Sequence, residues 1–506
     1  MLRRLHDLPL TVILLGIGGA AMYVPAAHAL ALRQHDIARP FFYSGTLILV
    51  LVALLALATA GNPRGPEGRS HLLAMLATFS VLPLALAVPF NESVPDTGLF
   101  NAWWEMVSAL TTTGATLYDP GRLAPSLHLW RALVGWLGGF FMLVMAIAVL
   151  APLRLGGFEV FFSGGPSGRP VRVASTAEGG ADAGERILHY AVRTFPVYIG
   201  LTGLLWVLLL IAGDPALVAL CHAMSTLATS GISPIGGSAG APSGMVGEGV
   251  IFLFLLPALS RRLWPGAGEL RAAPRALEDP ELRLAAVIVL AVPLVLFLRH
   301  WIAALDVSTT PSPGAMFGSI WGGLFTAMSF LTTTGFESQA WNLARSWSGL
   351  GTPGLLLSGL AIVGGGVATT AGGVRLLRVY ALIRHGEREL DKLVHPSSIA
   401  GGGGMARRLR REGAYIAWIF FMLFALSVAV VMLAVSIAGL DFEPATILSV
   451  AALSNTGPLA QVAAASPLSW AMLEPAAKVI LAAAMVLGRL ETLAIIALFN
   501  PEFWRN

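Results

Sequence analysis

The sequence predicts an all-α polytopic membrane protein: four tandem units, each a span, a half-helix, an extended loop and a second span, preceded by an amino-terminal two-helix hairpin. Two observations carry this. The first is composition, since 56% of the 506 residues are hydrophobic and only 12% are charged, too apolar for one soluble domain and too long for a single helical bundle in water. The second is a repeat. Leu110-Thr111-Thr112-Thr113-Gly114-Ala115 returns as Leu331-Thr332-Thr333-Thr334-Gly335-Phe336, and looser copies stand at Leu227-Ala228-Thr229-Ser230-Gly231-Ile232 and Leu453-Ser454-Asn455-Thr456-Gly457-Pro458. A segment that recurs between long apolar runs marks one copy per structural unit.

Taken in order, residues 8 to 32 form an apolar run after Arg3 and Arg4. Ala27-His28-Ala29 has the look of a signal-peptidase site, but the polar turn Arg33 to Asp36 leads straight into a second span at 41 to 60, so an uncleaved hairpin over 1–61 is expected. The first unit, 72–152, has a span at 72 to 90, a half-helix from Phe100 to Leu110 and a return from His128 to Leu150. At 1.5 Å per residue such a half-helix is too short for a hydrocarbon core of about 30 Å. The second unit, 186–264, repeats the order with a span at 188 to 212, a half-helix from Ala216 to Leu227 and a return at 247 to 260. The third, 281–392, has a span at 282 to 304, a half-helix from Phe317 to Leu331 and a return starting near Gly351. The fourth, 412–499, has a span at 414 to 438, a half-helix from Phe442 to Leu453 and a return over 468 to 499. Ten spans and four half-helices result.

Basic residues orient the chain. Loops on the side of the amino terminus hold 23 Lys and Arg and those on the opposite side hold six, so the amino terminus is expected in the cytoplasm with all four Thr-Gly loops opening outward. The net charge of +4 is thereby accounted for without nucleic acid. The glycine-rich stretches from Gly156 to Ala183 and from Gly401 to Gly404 read as flexible cytoplasmic connectors. Cys221 is the only cysteine, which excludes an internal disulfide and any multi-cysteine metal site. HExxH is absent as well, and an enzyme is unsupported.

Four non-helical segments at membrane depth are tolerated only where they are buried in protein or line a wet cavity. Half-helices whose carboxyl ends point at one axis favour a cation there. Backbone carbonyls, turned inward by Gly114, Gly231, Gly335 and Gly457, can replace the hydration shell of a monovalent ion, supported by hydroxyls of Thr112, Thr113, Thr229, Ser230, Thr333, Thr334 and Thr456 and by Asn455. The half-helices then act as pore helices around a pseudo-fourfold pore. No carboxylate ring recurs, which disfavours a divalent-selective site. Ser108, Ser225 and Ser329 stand six residues before the first three glycines, with Ala451 in the fourth place.

Ser108 to Thr116, Trp130-Arg131 with Gly135-Trp136-Leu137-Gly138-Gly139, Thr332 to Phe336, Leu393-Val394-His395-Pro396, Gly488-Arg489-Leu490-Glu491 and Pro501-Glu502-Phe503-Trp504-Arg505 together resemble the Trk/Ktr/HKT superfamily of potassium uptake proteins, and within it the Trk-type pore subunit. The resemblance implies K+ as the transported ion, a multi-pass protein of the cell inner membrane, a homodimer with one pore per protomer, and a cytosolic nucleotide-binding ring subunit of the NAD/ATP type as regulator. Glycine at all four loop positions is similar to the potassium-selective pattern of that family. A cation-coupled secondary transporter, a proton- or sodium-coupled symporter, is the competing reading, because internal repeats and broken helices occur there too.

Two gate elements are expected. Gly364-Gly365-Gly366-Val367-Ala368-Thr369-Thr370-Ala371-Gly372-Gly373 holds too many glycines for a helix interior, and the resemblance assigns it to an intramembrane gating loop. On the last span, Lys478 and Arg489 lie eleven residues apart and share a helical face. The resemblance makes Arg489 an electrostatic barrier below the loops, whereas the role of Lys478 stays open between a functional one on that face and a structural one in which it pairs with Glu474 one turn earlier. Asp119 and Glu337, which follow two of the loops, are candidates for concentrating cations.

Overall fold

A computed structural model describes residues 8–59, 67–153, 155, 157–158, 183–264, 279–302, 312–349, 354–395, 411–464 and 466–491. The chain is helical in the order α1 Leu10–Ala21, α2 Tyr23–Ala31, α3 His35–Thr59, α4 Glu67–Ser80, α5 Leu82–Ser93, α6 Leu99–Leu110, α7 Pro125–Met145, α8 Ala183–Ile211, α9 Ala216–Ala228, α10 Gly244–Leu255, α11 Pro280–Ile302, α12 Pro313–Leu331, α13 Trp341–Ser348, α14 Gly354–Val363, α15 Leu376–Val394, α16 Arg411–Ile437, α17 Phe442–Leu453, α18 Leu459–Val462 and α19 Pro475–Leu490. Helix α7 continues as one π turn, Ala146–Leu150.

Polarity is inverted relative to a protein in water. Leu47, Leu57, Val287 and Ile437 lie exposed, while Ser108, Thr113, Thr334 and Asn455 are fully buried. This is the pattern of a chain whose outer solvent is hydrocarbon.

Eight helical stretches among the described residues are long and apolar enough to cross a membrane, so the protein is an all-helical polytopic membrane protein. Seven of them coincide with expected spans. The eighth is α12, expected as a half-helix from Phe317. It starts instead at Pro313 and runs for 19 residues. The reason is local: the Ser312 hydroxyl accepts the N–H of Ala315 at 3.2 Å and Pro313 takes the first helical position, a start signal that lies outside the apolar run. The remaining three expected spans, all of them returns, are short. Helix α10 ends at Leu255 and gives way to a single 3₁₀ turn at Pro257, α14 has ten residues before the chain leaves the helix at Gly364, and α19 has 16 described residues. The half-helices α6, α9 and α17 have 12, 13 and 12 residues, close to expectation. Residues 492–499 of the last return, the connectors 159–182 and 396–410, and Pro501 to Arg505 lie outside the described residues.

The hairpin α1–α3 closes on glycine. A Cβ on Gly19 would collide with Ile48, and one on Gly45 would press against the carbonyl of Gly19. Ser126, in the first turn of α7, ties the hairpin to the first unit through His28 Nδ1 at 2.8 Å. Glycine on the returns likewise lets the carboxyl ends of half-helices approach, for a Cβ on Gly138 would overlap the carbonyl of Leu110 and one on Gly488 that of Leu453.

Candidate functional site

The four loops leave their half-helices by the same two steps. Thr112, Thr229, Thr333 and Asn455 take φ of 57°, 51°, 58° and 54°, a left-handed conformation that asparagine tolerates but that a β-branched threonine keeps only where the surroundings impose it. The next N–H, on Thr113, Ser230, Thr334 and Thr456, then turns back to the carbonyl of Ser108, Ser225, Ser329 and Ala451 at 2.9, 2.9, 2.9 and 2.8 Å. Gly114, Gly231 and Gly335 follow with φ of 72°, 67° and 80°. Gly457 is needed for space instead, since a Cβ there would run into Thr113 and Ala115.

Contacts between loops run around a closed circuit. A Cβ on Gly114 would overlap the carbonyl of Ser230, one on Gly231 would overlap that of Thr334, and one on Gly335 would press on Pro458. The Gly457 N–H donates to the Thr113 carbonyl at 2.6 Å, which completes the circuit from fourth loop to first. All four glycines line one cavity, together with Ser233, Glu337, Gln461 and Arg131. Asp119, the other expected carboxylate, does not line it, so of that pair only Glu337 faces the cavity. Burial raises the Glu337 carboxyl above its ordinary range, and Arg345 partly offsets the shift.

Side chains brace the loops from behind. Thr113 Oγ1 lies 2.8 Å from Thr111 Oγ1, Thr334 Oγ1 lies 3.1 Å from Thr332 Oγ1, and Ser454 Oγ donates to Thr456 Oγ1 at 3.2 Å. The second loop has Ala228 at the bracing position, and there Ser230 Oγ donates to Ser225 Oγ at 3.2 Å. Asn455 spans the circuit, donating to Thr113 Oγ1 at 3.0 Å and to the Met485 carbonyl at 2.9 Å. Thr112 Oγ1 is buried and has no hydrogen-bond partner among the described residues.

Three buried acids absent from the sequence-predicted site hold the loops in place. Glu105 lies 2.6 Å from Arg131 Nε and accepts the Leu117 N–H at 3.0 Å, anchoring the segment after Gly114. Glu248 accepts from Ser338 Oγ at 2.7 Å, the Gln339 N–H at 2.6 Å and Trp321 Nε1 at 2.7 Å, doing the same after Gly335. Asp214 accepts the Ser243 N–H at 2.9 Å and sits 4.0 Å from His222, whose Nε2 is 2.8 Å from Ser233 Oγ. These acids occupy unlike places in their units, so no repeat signals them.

The glycine-rich segment is a break, as expected. Gly364 and Gly373 have φ of 72° and 78° and pack so closely that a Cβ on either would strike the other. Bonds from Val374 N–H to the Ile362 carbonyl at 2.8 Å and from Arg375 N–H to the Val363 carbonyl at 2.9 Å tie its limbs together. Its tip lies against the four-loop circuit. Gly372 N–H donates to Thr333 Oγ1 at 2.7 Å, Thr370 Oγ1 to the Leu227 carbonyl at 3.1 Å, and Thr369 Oγ1 to the Ala258 carbonyl at 3.1 Å. Gly372 also abuts the Ser454 carbonyl, and Gly365 and Gly366 pack on the backbone of Ala258 and Leu259.

Arg489 is 2% exposed and its Nη1 donates to the Thr370 carbonyl at 2.7 Å, so it points into the protein rather than out to a lipid surface. Below it, Glu491 pairs with Arg378 at 2.7 Å and Arg375 at 3.5 Å, and Arg375 also donates to the Ala371 carbonyl. Lys478 lies on the same helix, with Nζ 3.1 Å from the Ala471 carbonyl of its own unit and 3.5 Å from Asn101 Oδ1 of the first unit.

The family description of TrkH, "Cation transport protein", matches residues 282–505. The chain is 32% identical over 448 residues to the Trk system potassium uptake protein TrkH of Salmonella typhimurium, covering 87% of each chain, and 30% identical over 493 residues to that of Escherichia coli K12, covering 96% of each. Its fold superposes on the crystal structure of the potassium transporter TrkH from Vibrio parahaemolyticus with a TM-score of 0.79 and 26% identity over the full length of both chains. At this level of identity and coverage, the chain belongs to the TrkH family of Trk system potassium uptake proteins.

Proposed function

We propose that the protein carries K+ into the cell across the cytoplasmic membrane through a pseudo-fourfold filter made by residues 112–114, 229–231, 333–335 and 455–457. The observation that carries this is the shared backbone path of the four loops and the single cavity that all four glycines line. A carbonyl cage of this kind replaces water around a monovalent cation. Glycine in all four places supports K+ over Na+, because no side chain crowds the carbonyls. The four units span, enter half-way, and return, with the amino terminus on the cytoplasmic side.

Gly364, Gly365, Gly366, Thr369, Thr370, Gly372 and Gly373 form the gate, and Arg489 holds it. The bonds from Gly372 to Thr333 and from Arg489 to Thr370 support a closed position directly against the filter. Flux then follows membrane potential whenever the loop yields. A second copy of the chain and a cytosolic nucleotide-binding ring are the partners, the ring acting on the loop from the cytoplasmic side. The test is K+ against Na+ flux into liposomes holding the purified full-length protein. Equal rates for the two ions would remove the selectivity claim, and flux requiring a proton or Na+ gradient would favour a symporter.

A further inference from the structure

The lower turn of the 364–375 segment is held from outside by two acceptors. Glu281, in the first turn of α11, is 3% exposed, and its Oε1 accepts the Val367 N–H at 2.8 Å. The Ala258 carbonyl accepts the Gly366 N–H at 2.9 Å. The segments that carry these acceptors are linked, because Asp279 accepts the hydroxyl of Ser260, two residues after Ala258, at 2.6 Å and the Glu281 N–H at 3.2 Å. The turn they grip needs gripping: Ala368, next to Val367, has φ of 56°, which a residue with a Cβ leaves readily when released. Two residues further on stands Thr370, whose carbonyl receives Arg489.

We propose that Glu281 is a positioning residue of the gate, its carboxyl oxygen fixing the Val367 N–H and so keeping Thr370 and Gly372 seated under the filter. This rests on the reading of 364–373 as the gate. It adds a latch supplied by the third span, distinct from the filter loops and from Arg489. The carboxyl acts as a hydrogen-bond acceptor, so an amide in its place retains the function and a thioether of similar size does not.

The experiment compares Glu281→Met with Glu281→Gln in full-length protein reconstituted in liposomes, alongside a variant lacking Gly364 to Gly366. Glu281→Met is expected to raise K+ flux about tenfold, the factor a lost buried hydrogen bond carries, whereas Glu281→Gln stays within about twofold of wild type. The K+ to Na+ ratio stays at the wild-type value in both, since neither touches the filter. Wild-type flux in Glu281→Met, or equal leak in Met and Gln variants, overturns the proposal. Should Glu281→Met fail to fold, Val367→Pro removes the donor instead: raised flux supports the latch and unchanged flux overturns it. If the loop-shortened variant is leaky and the latch variants are not, Glu281 has no such role and the gate reading stands. If none is leaky, the gate reading falls and the latch with it.

Discussion

Replacing Gly114 by serine tests the filter at its most constrained point. The residue sits at φ of 72°, and a left-handed conformation costs a residue with a Cβ about 1–2 kcal/mol. The added Cβ would also overlap the Ser230 carbonyl and come within 3.0 Å of its carbon, so the second loop has to shift its oxygen. Both costs fall on the atoms proposed to hold K+. If the displaced carbonyl forfeits 1–2 kcal/mol of preference for K+, the K+ to Na+ flux ratio drops by about 5- to 30-fold, at a factor of ten per 1.4 kcal/mol. The assay is paired flux in liposomes, with Gly359→Ser as control, because a Cβ there meets nothing within 4 Å. Gly457→Ala separates the two costs, as it crowds Thr113 and Ala115 without a φ penalty. An unchanged ratio in Gly114→Ser, at wild-type flux and wild-type fold, would falsify the carbonyl-cage argument.

Other substitutions probe the surroundings. Arg489→Ala removes the donor on the Thr370 carbonyl; a charge-assisted bond contributes about 1.5–3 kcal/mol, and K+ flux is expected to rise at least tenfold, with no rise counting against a closed loop. Glu337→Gln is expected to lower K+ flux at low ionic strength and leave it nearly unchanged in high salt, as for any charge that steers ions. Because burial raises the Glu337 carboxyl, its charge is present above the raised value and is lost as external pH falls through it. Wild-type flux should therefore decline at a pH above the ordinary carboxylate range, and Glu337→Gln should lack that component. Glu105→Gln leaves Arg131 buried without its charge partner and is expected to cost about 3–5 kcal/mol, visible as a lower melting temperature in detergent.

The loops and the broken third return were legible because both are written in glycine and threonine at fixed places. Four segments with one spacing of hydroxyls and glycine fold alike, and the fourfold recurrence of a left-handed residue two places before glycine is the same signal in backbone angles. Spans were legible wherever an apolar run was long. They were misjudged where capping, not hydrophobicity, sets the boundary, as at Ser312-Pro313. The buried acids were not legible at all. Glu105 acts on the residue twelve places later, but Glu248 and Glu281 act across 90 and 86 residues, a relation that only the folded chain creates.

That split explains why the quarters differ in stability devices yet agree in the filter. A filter of the proposed kind needs four carbonyl sets at one geometry, and the path of the backbone is held in common, down to the N–H that turns back onto residues 108, 225, 329 and 451. Each quarter meets this demand with what its neighbours offer. Where the second loop lacks the bracing hydroxyl, at Ala228, Ser230 finds Ser225 instead. The fourth loop, with asparagine in place of threonine, reaches across to Thr113. Exchanging Ser225 for alanine therefore removes that brace from the second loop, and at about 1 kcal/mol per buried hydrogen bond its effect on K+ to Na+ selectivity should match that of Thr332→Val in the third loop. Selectivity insensitive to both would mean that the carbonyls are fixed by the main chain alone.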